Sequence, residues 1–147
     1  MKVLAVDPGD KRIGLAVSDP TGTLARPLLI MKHISRPENA RRIAEAAAQE
    51  GASLIVVGQP LDSMGEVGPQ ARKSIRLADA IRTAGGCRVV LWDETGTTRA
   101  ALQRRIQLGV SRKKRKGHLD DLAASILLQD YLNENEALVK GQEGNDG

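Results

Sequence analysis

Met1-Lys-Val-Leu-Ala-Val-Asp-Pro-Gly-Asp-Lys-Arg-Ile-Gly-Leu-Ala-Val-Ser-Asp19 opens a chain of 147 residues and decides its predicted fold. The apolar run 3–6 predicts a strand. Pro8 and Gly9 predict a turn, and the apolar run 13–17 predicts a second strand that returns beside the first. Asp7 therefore ends a buried strand, where a carboxylate costs stability unless it is paired, hydrogen-bonded or bound to a metal.

Asp7 has three interpretations. An aspartate before a turn often hydrogen-bonds its own backbone, which would make it purely structural. In a second interpretation the carboxylate binds a divalent metal for phosphodiester hydrolysis. In a third, the strand and its Asp-x-Gly turn cradle the phosphates of ATP, as in the actin-like kinases and ATPases. The chain length weighs against the third, because those proteins close two such domains over one nucleotide.

Length and composition predict one domain in a reducing compartment. A chain of 147 residues can bury about two-thirds of its unfolded surface in a single core. Cys87 is the only cysteine, so an internal disulfide is excluded, and its place at the start of an apolar run predicts an inert, buried thiol. We find no signal-peptide pattern and no apolar run of membrane-spanning length. These features predict a soluble cytoplasmic protein with no membrane partner.

Basic residues are concentrated in one segment of a chain whose formal net charge is +4. No acidic residue occurs between Thr95 and Leu119, and the cations there are Arg99, Arg104, Arg105, Arg112, Lys113, Lys114, Arg115 and Lys116. A basic block followed by a polar, acidic tail predicts a polyanion partner, with a solvated loop as the alternative. Because Trp92 and Tyr131 are the only large aromatic residues, binding should depend on phosphate contacts and on salt rather than on base stacking.

The predicted elements follow the order β-β-β-α-β-α-β-α-α. The strands are 2–7, 13–18, 24–33, 54–57 and 88–92, and the helices are 36–50 (capped by Ser35), 69–84, 97–108 (capped by Thr97 or Thr98) and 119–132. Three antiparallel strands followed by two that alternate with helices predict a mixed five-stranded α/β sheet flanked by helices. This order matches the ribonuclease H-like fold. Residues 1–133 form the predicted domain, and 134–147 form a disordered tail.

Acidic residues from three separate elements are candidates for one metal site. Asp7 ends the first strand, Asp93 and Glu94 end the fifth, and Asp120 and Asp121 open the last helix. Since side chains alternate along a strand, only one of Asp93 and Glu94 should face Asp7, and the longer Glu94 is favoured. Asp121 fits a helix cap, so Asp120 is the better ligand. Carboxylate oxygens suit Mg²⁺ or Mn²⁺, the ions expected in metal-assisted phosphodiester cleavage.

Four segments resemble the YqgF/RuvX family of small bacterial ribonuclease H-like nucleases. They are Asp7-Pro-Gly-Asp-Lys-Arg-Ile-Gly-Leu-Ala16, Val57-Gly-Gln-Pro-Leu61, Trp92-Asp-Glu94 with Thr97-Thr98, and Leu119-Asp-Asp-Leu-Ala-Ala124 with Ile126-Leu-Leu-Gln-Asp-Tyr-Leu132. The resemblance implies that Asp7, Glu94 and Asp120 are the catalytic acids, in agreement with the choice from strand alternation and helix position. It implies nuclease activity at the 5′ end of precursor 16S ribosomal RNA or, alternatively, at a Holliday junction.

One departure from the family pattern affects the acidic pair. Thr95 and Gly96 follow Glu94, where the family has an arginine and an apolar residue. Arg99, one helical turn later, is a candidate replacement for the missing cation. The departure makes Glu94 the least secure of the three acids.

The leading hypothesis is a metal-dependent nuclease acting on structured RNA. Lys11 and Arg12 would hold the substrate backbone together with Arg99 and the basic residues Arg112, Lys113, Lys114, Arg115 and Lys116. One alternative is a resolvase of branched DNA, which requires a homodimer to cut two strands. Another is a nucleic-acid-binding module whose active site is idle.

Overall fold

A computed structural model of the chain describes residues 1–60, 64–93 and 119–136, with side chains in the last segment from residue 122 onward. Five strands form one sheet in the order β3-β2-β1-β4-β5. They are β1 (Val3–Asp7), β2 (Arg12–Ser18), β3 (Ala25–Lys32), β4 (Leu54–Gln59) and β5 (Arg88–Asp93). The first three strands pair antiparallel, whereas β4 is parallel to β1 and β5 is parallel to β4. The predicted mixed α/β sheet is thus confirmed.

Three helices are described: α1 (Arg36–Glu50), α2 (Pro69–Ala84) and α3 (Leu119–Glu134). The start of α1 follows its sequence signal, since Ser35 accepts a hydrogen bond from the Glu38 amide at 3.3 Å. The helix ends at Glu50 and is capped by Gly51, whose φ of 71° lies in the left-handed region that favours glycine. The predicted helix 97–108 and the basic loop after it lie outside the described residues.

The boundary of β4 differs from its prediction. The predicted strand stopped at Val57, where the apolar run that begins at Leu54 ends. In the structure β4 continues to Gln59, which pairs with Asp93 of β5 and is 8% exposed. The parallel ladder therefore extends β4 past the point where local sequence predicts its end.

Two apolar cores lie on opposite faces of the sheet. Leu4 and Val6 of β1 point to the core beneath α1 and α2, and Val3 and Ala5 point to the core beneath α3. All five residues of β1 are buried. This explains why β1 is apolar at successive positions instead of alternating with polar residues.

Gly58 allows α3 to pack closely on the sheet. A Cβ atom built at this position would lie 2.6 Å from Leu127 Cδ1 of α3 and 3.6 Å from the Val6 carbonyl oxygen. Leu127 is 1% exposed and belongs to the core of that face. A side chain at 58 would therefore force Leu127 to shift within the core beneath α3.

We expect Gly58→Ala to destabilise the fold through this contact, by about 1–3 kcal/mol. Leu127→Ala alone should cost about 2–5 kcal/mol, because it leaves a cavity. In the double variant the added methyl group occupies the space that Leu127 vacates. The loss in the free energy of unfolding should therefore be smaller than the sum of the two single-variant losses by about 1 kcal/mol. Urea unfolding of the four proteins measures this coupling. Strict additivity would contradict the contact.

Candidate active site

Asp7 is the last residue of β1, and its side chain is 6% exposed. Alternation from Val3 and Ala5 places it on the face covered by α3. Its partner across the antiparallel pair is Gly14. On the parallel side, Gly58 follows Val57, the partner of Val6. Neither adjacent strand therefore sets a side chain beside this carboxylate within the sheet.

Three parallel strands end together at this end of the sheet. The β1–β4 and β4–β5 registers bring Asp7, Gln59 and Asp93 to the same end. Two of these strands, β1 and β5, carry acids that the sequence analysis assigned to one candidate metal site. It is the end at which open α/β sheets generally bind their ligands.

Asp93 and Asp7 lie on opposite faces of the sheet. Trp92, the residue before Asp93, packs in the α3-side core and contacts Tyr131 with ring centroids 5.3 Å apart. Alternation then assigns Asp93 to the α1/α2 face, where it is exposed. This placement favours a ligand other than Asp93 beside Asp7. Glu94, the predicted ligand from this pair, lies outside the described residues.

The first turn of α3 carries Asp120 and Asp121, on the same face of the sheet as Asp7. Leu127 anchors the helix against Gly58, and the two aspartates precede it by about 10 Å along the helix axis. A helix N-terminus favours negative charge in its first turn. The structure does not describe the side chains of this pair, so their choice as ligands stays a prediction.

The described residues supply one part of the predicted metal site. No group of three or more His, Cys, Asp or Glu side chains suited to a metal occurs among residues 1–60, 64–93 and 122–136. Asp7 itself fits the predicted ion, because it presents carboxylate oxygens at a strand end next to two glycine positions. A ligand set of carboxylates alone matches Mg²⁺ or Mn²⁺ rather than a softer metal.

The turn after Asp7 is tightly closed. A Cβ atom at Gly9 would collide with the carbonyl oxygen of Arg12, so position 9 needs glycine for close approach of the backbone. Two residues after Gly9, the carbonyl oxygen of Lys11 accepts a hydrogen bond from the His33 amide at 2.9 Å. The turn is therefore fixed both internally and against the end of β3.

Asp10 makes the turn's contact with α2. Its Oδ1 lies 3.2 Å from Lys73 Nζ, and this hydrogen-bonded cation is the main reason that the pKa of the Asp10 carboxyl lies below its usual value. Gln70 donates a second side-chain hydrogen bond that acts in the same direction. Asp10 is thus ionised at neutral pH and ties the turn to α2.

Of the predicted nucleic-acid-binding residues, the structure places Lys11 and Arg12 on the surface directly after this turn. The others, Arg99, Arg112, Lys113, Lys114, Arg115 and Lys116, lie outside the described residues. Three cations that the sequence analysis did not single out, Arg36, Lys73 and Arg76, lie on the other side of the same turn. The one sequence signal for Lys73 and Arg76 is their three-residue spacing on the predicted helix 69–84, which puts both side chains on the same side of the helix. The sequence carries no such signal for Arg36.

The sheet order, with helices on both faces, defines the ribonuclease H-like class of α/β proteins. The structure is similar to that of Thermus thermophilus RuvC, with a TM-score of 0.56 and 18% identity over 92% of this chain and 97% of the other. At that identity the likeness shows the fold.

Among the described residues, no helix is long and apolar enough to cross a membrane.

Sequence relatives identify the family. The family model described as "RuvX: Holliday junction resolvase" matches residues 1–134. A "Putative pre-16S rRNA nuclease" of Thermoanaerobacter pseudethanolicus is 38% identical over 90% of this chain and 96% of its own length. One of the same name from Chloroflexus aurantiacus is 43% identical over 88% of this chain and 85% of its own. The chain belongs to the RuvX family, as the four motifs predicted.

We expect Gly9→Ala to disturb the turn that follows Asp7. The substitution forces the backbone away from the Arg12 carbonyl and should lower the free energy of unfolding by about 1–3 kcal/mol. Gly86→Ala is the matched control, since a Cβ atom there would meet nothing within 4 Å. Urea unfolding compares the two variants. Equal stability of both would contradict the close contact at Gly9.

Proposed function

We propose that this protein is a metal-dependent nuclease that processes the 5′ end of precursor 16S ribosomal RNA. The observation that carries the proposal is the shared name of relatives that are 34–43% identical over most of both chains. The nuclease domain is the predicted unit 1–133 extended by one residue to Glu134, where α3 ends. The residues after it form a mostly polar tail. The activity belongs in the cytoplasm, where bacterial ribosomal RNA precursors are made.

In this proposal Asp7, Glu94 and Asp120 hold Mg²⁺ or Mn²⁺ at the end of the sheet. When bound, the metal supplies a water nucleophile of lowered pKa and stabilises the negative charge that develops on the phosphate. The chain supplies rigid positioning. Asp7 projects from a strand that is buried on both faces, and α3 packs on that same face. A rigid frame keeps the carboxylates in place without reorganisation during the reaction.

The substrate is held by its phosphates. Lys11 and Arg12 are exposed directly after the turn that follows Asp7, so they can contact substrate phosphates near the cut. Arg99 and the basic residues 112–116 would extend this contact. Phosphate contacts of this kind position the substrate without reading its sequence, which suits recognition of a folded RNA.

A second candidate function is resolution of four-way DNA junctions. The description of the matching family model favours it. The reaction requires two symmetric cuts and therefore a homodimer with two sites. The two functions share one chemistry and one site, so they differ in substrate and in oligomeric state.

Asp7→Asn should abolish cleavage and leave binding intact or tighter, because it removes a metal ligand and a negative charge near the substrate phosphates. The variant is compared with wild type on a labelled precursor 16S 5′-leader RNA and on a four-way DNA junction, each with Mg²⁺ or Mn²⁺. Asp79→Asn is the matched control, since Asp79 is an exposed residue of α2 paired with Arg82.

Each outcome selects one function. RNA cleavage that is lost in Asp7→Asn and kept in Asp79→Asn supports the ribosomal-RNA nuclease. Symmetric nicking of the junction with the same dependence favours the resolvase. Binding without any Asp7-dependent cleavage would indicate an idle active site and overturn the proposal.

A further inference from the structure

A cleft lies on the α1/α2 face of the sheet, beside the turn that follows Asp7. It encloses about 420 Å³, and the buried side chains of Ile13 and Leu77 form its apolar floor. Its wall is the turn 8–10, and its rim carries Arg36, Lys73 and Arg76. We call this the basic cleft.

The packing of α1 on α2 brings the three cations together. Arg36 is the first residue of α1. Lys73 and Arg76 are one turn apart on α2, so their side chains extend from the same side of the helix. Buried Asn39 fixes the segment before α1, because its Oδ1 accepts a hydrogen bond from the Ile34 amide at 3.1 Å. The cations therefore stand on a rigid frame.

The cleft carries excess positive charge. Among the residues that the structure describes, its lining contains three cations and one carboxylate, Asp10, which pairs with Lys73. Neither Arg36 nor Arg76 makes an ion pair in the part of the chain that the structure describes. Two guanidinium groups on the rim of a preformed concavity present several donors in a fixed geometry, which suits a phosphate.

A second depression continues the basic cleft toward β2 and β3. It is lined by Asp10, Lys11, Arg12, Ile30, Lys32 and His33, of which Asp10 and His33 also line the basic cleft. Cations thus follow the end of the sheet from β3 to α2: Lys32, Arg12, Lys11, Arg36, Lys73 and Arg76. An extended row of this kind fits a chain of phosphates better than a single anion.

We propose that the basic cleft binds backbone phosphates of the nucleic acid substrate away from the phosphodiester that is cut. The inference rests on the proposed function and adds a second contact region to it. Asp7 lies on the α3 face and the cleft on the α1/α2 face, so the substrate backbone passes over the turn at Pro8 and Gly9. No Trp or Tyr lines the cleft and His33 is the one aromatic ring among its described lining residues, whereas three cations stand on its rim, so its contacts are mainly to phosphate.

The test is binding of labelled precursor 16S leader RNA by the full chain in EDTA, where cleavage does not occur. Loss of both guanidinium groups in Arg36→Ala/Arg76→Ala should weaken binding about five- to twentyfold at moderate salt. It should also reduce the slope of log K against log[salt] by about 1.4 to 1.8, as expected for two phosphate contacts to single-stranded or duplex segments. Arg41→Ala is the control, because Arg41 is an exposed cation of α1 that pairs with Glu38 and Glu45 away from the cleft.

Asp10→Asn is expected to increase the affinity for RNA, a result that loss of folded protein cannot produce. Removing the carboxylate from the cleft should tighten RNA binding about two- to threefold. Thermal unfolding of all variants checks that each one is folded.

The outcomes separate this inference from the proposed function. Weaker binding in the double variant with a reduced salt slope, together with tighter binding by Asp10→Asn, supports the cleft. Wild-type affinity and slope in the double variant would overturn the inference while leaving the nuclease proposal intact. Inorganic phosphate that binds through Arg36 and Arg76 without competing with RNA would also overturn it, because the cleft would then serve a small anion. Failure of wild type to bind RNA would overturn the proposed function itself.

Discussion

β1 is paired on both sides and buried on both faces, and this constraint fixes the rest of the site. Its antiparallel partner β2 and parallel partner β4 set its register, while the two cores hold its alternate side chains. A strand held this way cannot slip by one residue without moving every side chain to the wrong face. The position of Asp7 is therefore a consequence of the packing of the whole sheet.

The glycines around Asp7 serve the same constraint. Gly14 and Gly58 leave the two adjacent strand positions without side chains, and Gly9 lets the chain turn sharply past the carboxylate. Gly58 also admits Leu127, so the helix that carries Asp120 and Asp121 is seated by the strand next to β1. One end of the sheet thus combines a rigid carboxylate with cations on both sides of the same turn.

Much of this arrangement could be predicted from local sequence. The first turn is marked by Pro8 and Gly9, and the start of α1 by Ser35, because these signals act within a few residues. The extension of β4 to Gln59 was missed, since its partner Asp93 is distant in sequence. Alternation predicted that only one residue of the Asp93–Glu94 pair faces Asp7. Which face Asp93 occupies follows from the packing of Trp92, a tertiary contact. The basic cleft was missed for the same reason, because the packing of α1 on α2 creates it.

The central claim is that Asp7 binds the divalent metal used in catalysis, and Mn²⁺ binding followed by electron paramagnetic resonance tests it most directly. Mn²⁺ is titrated into wild type, Asp7→Asn and Asp79→Asn, and the free-ion signal gives the bound fraction without any substrate. The account predicts specific binding by wild type and Asp79→Asn, and its loss in Asp7→Asn. Equal binding by wild type and Asp7→Asn would contradict it.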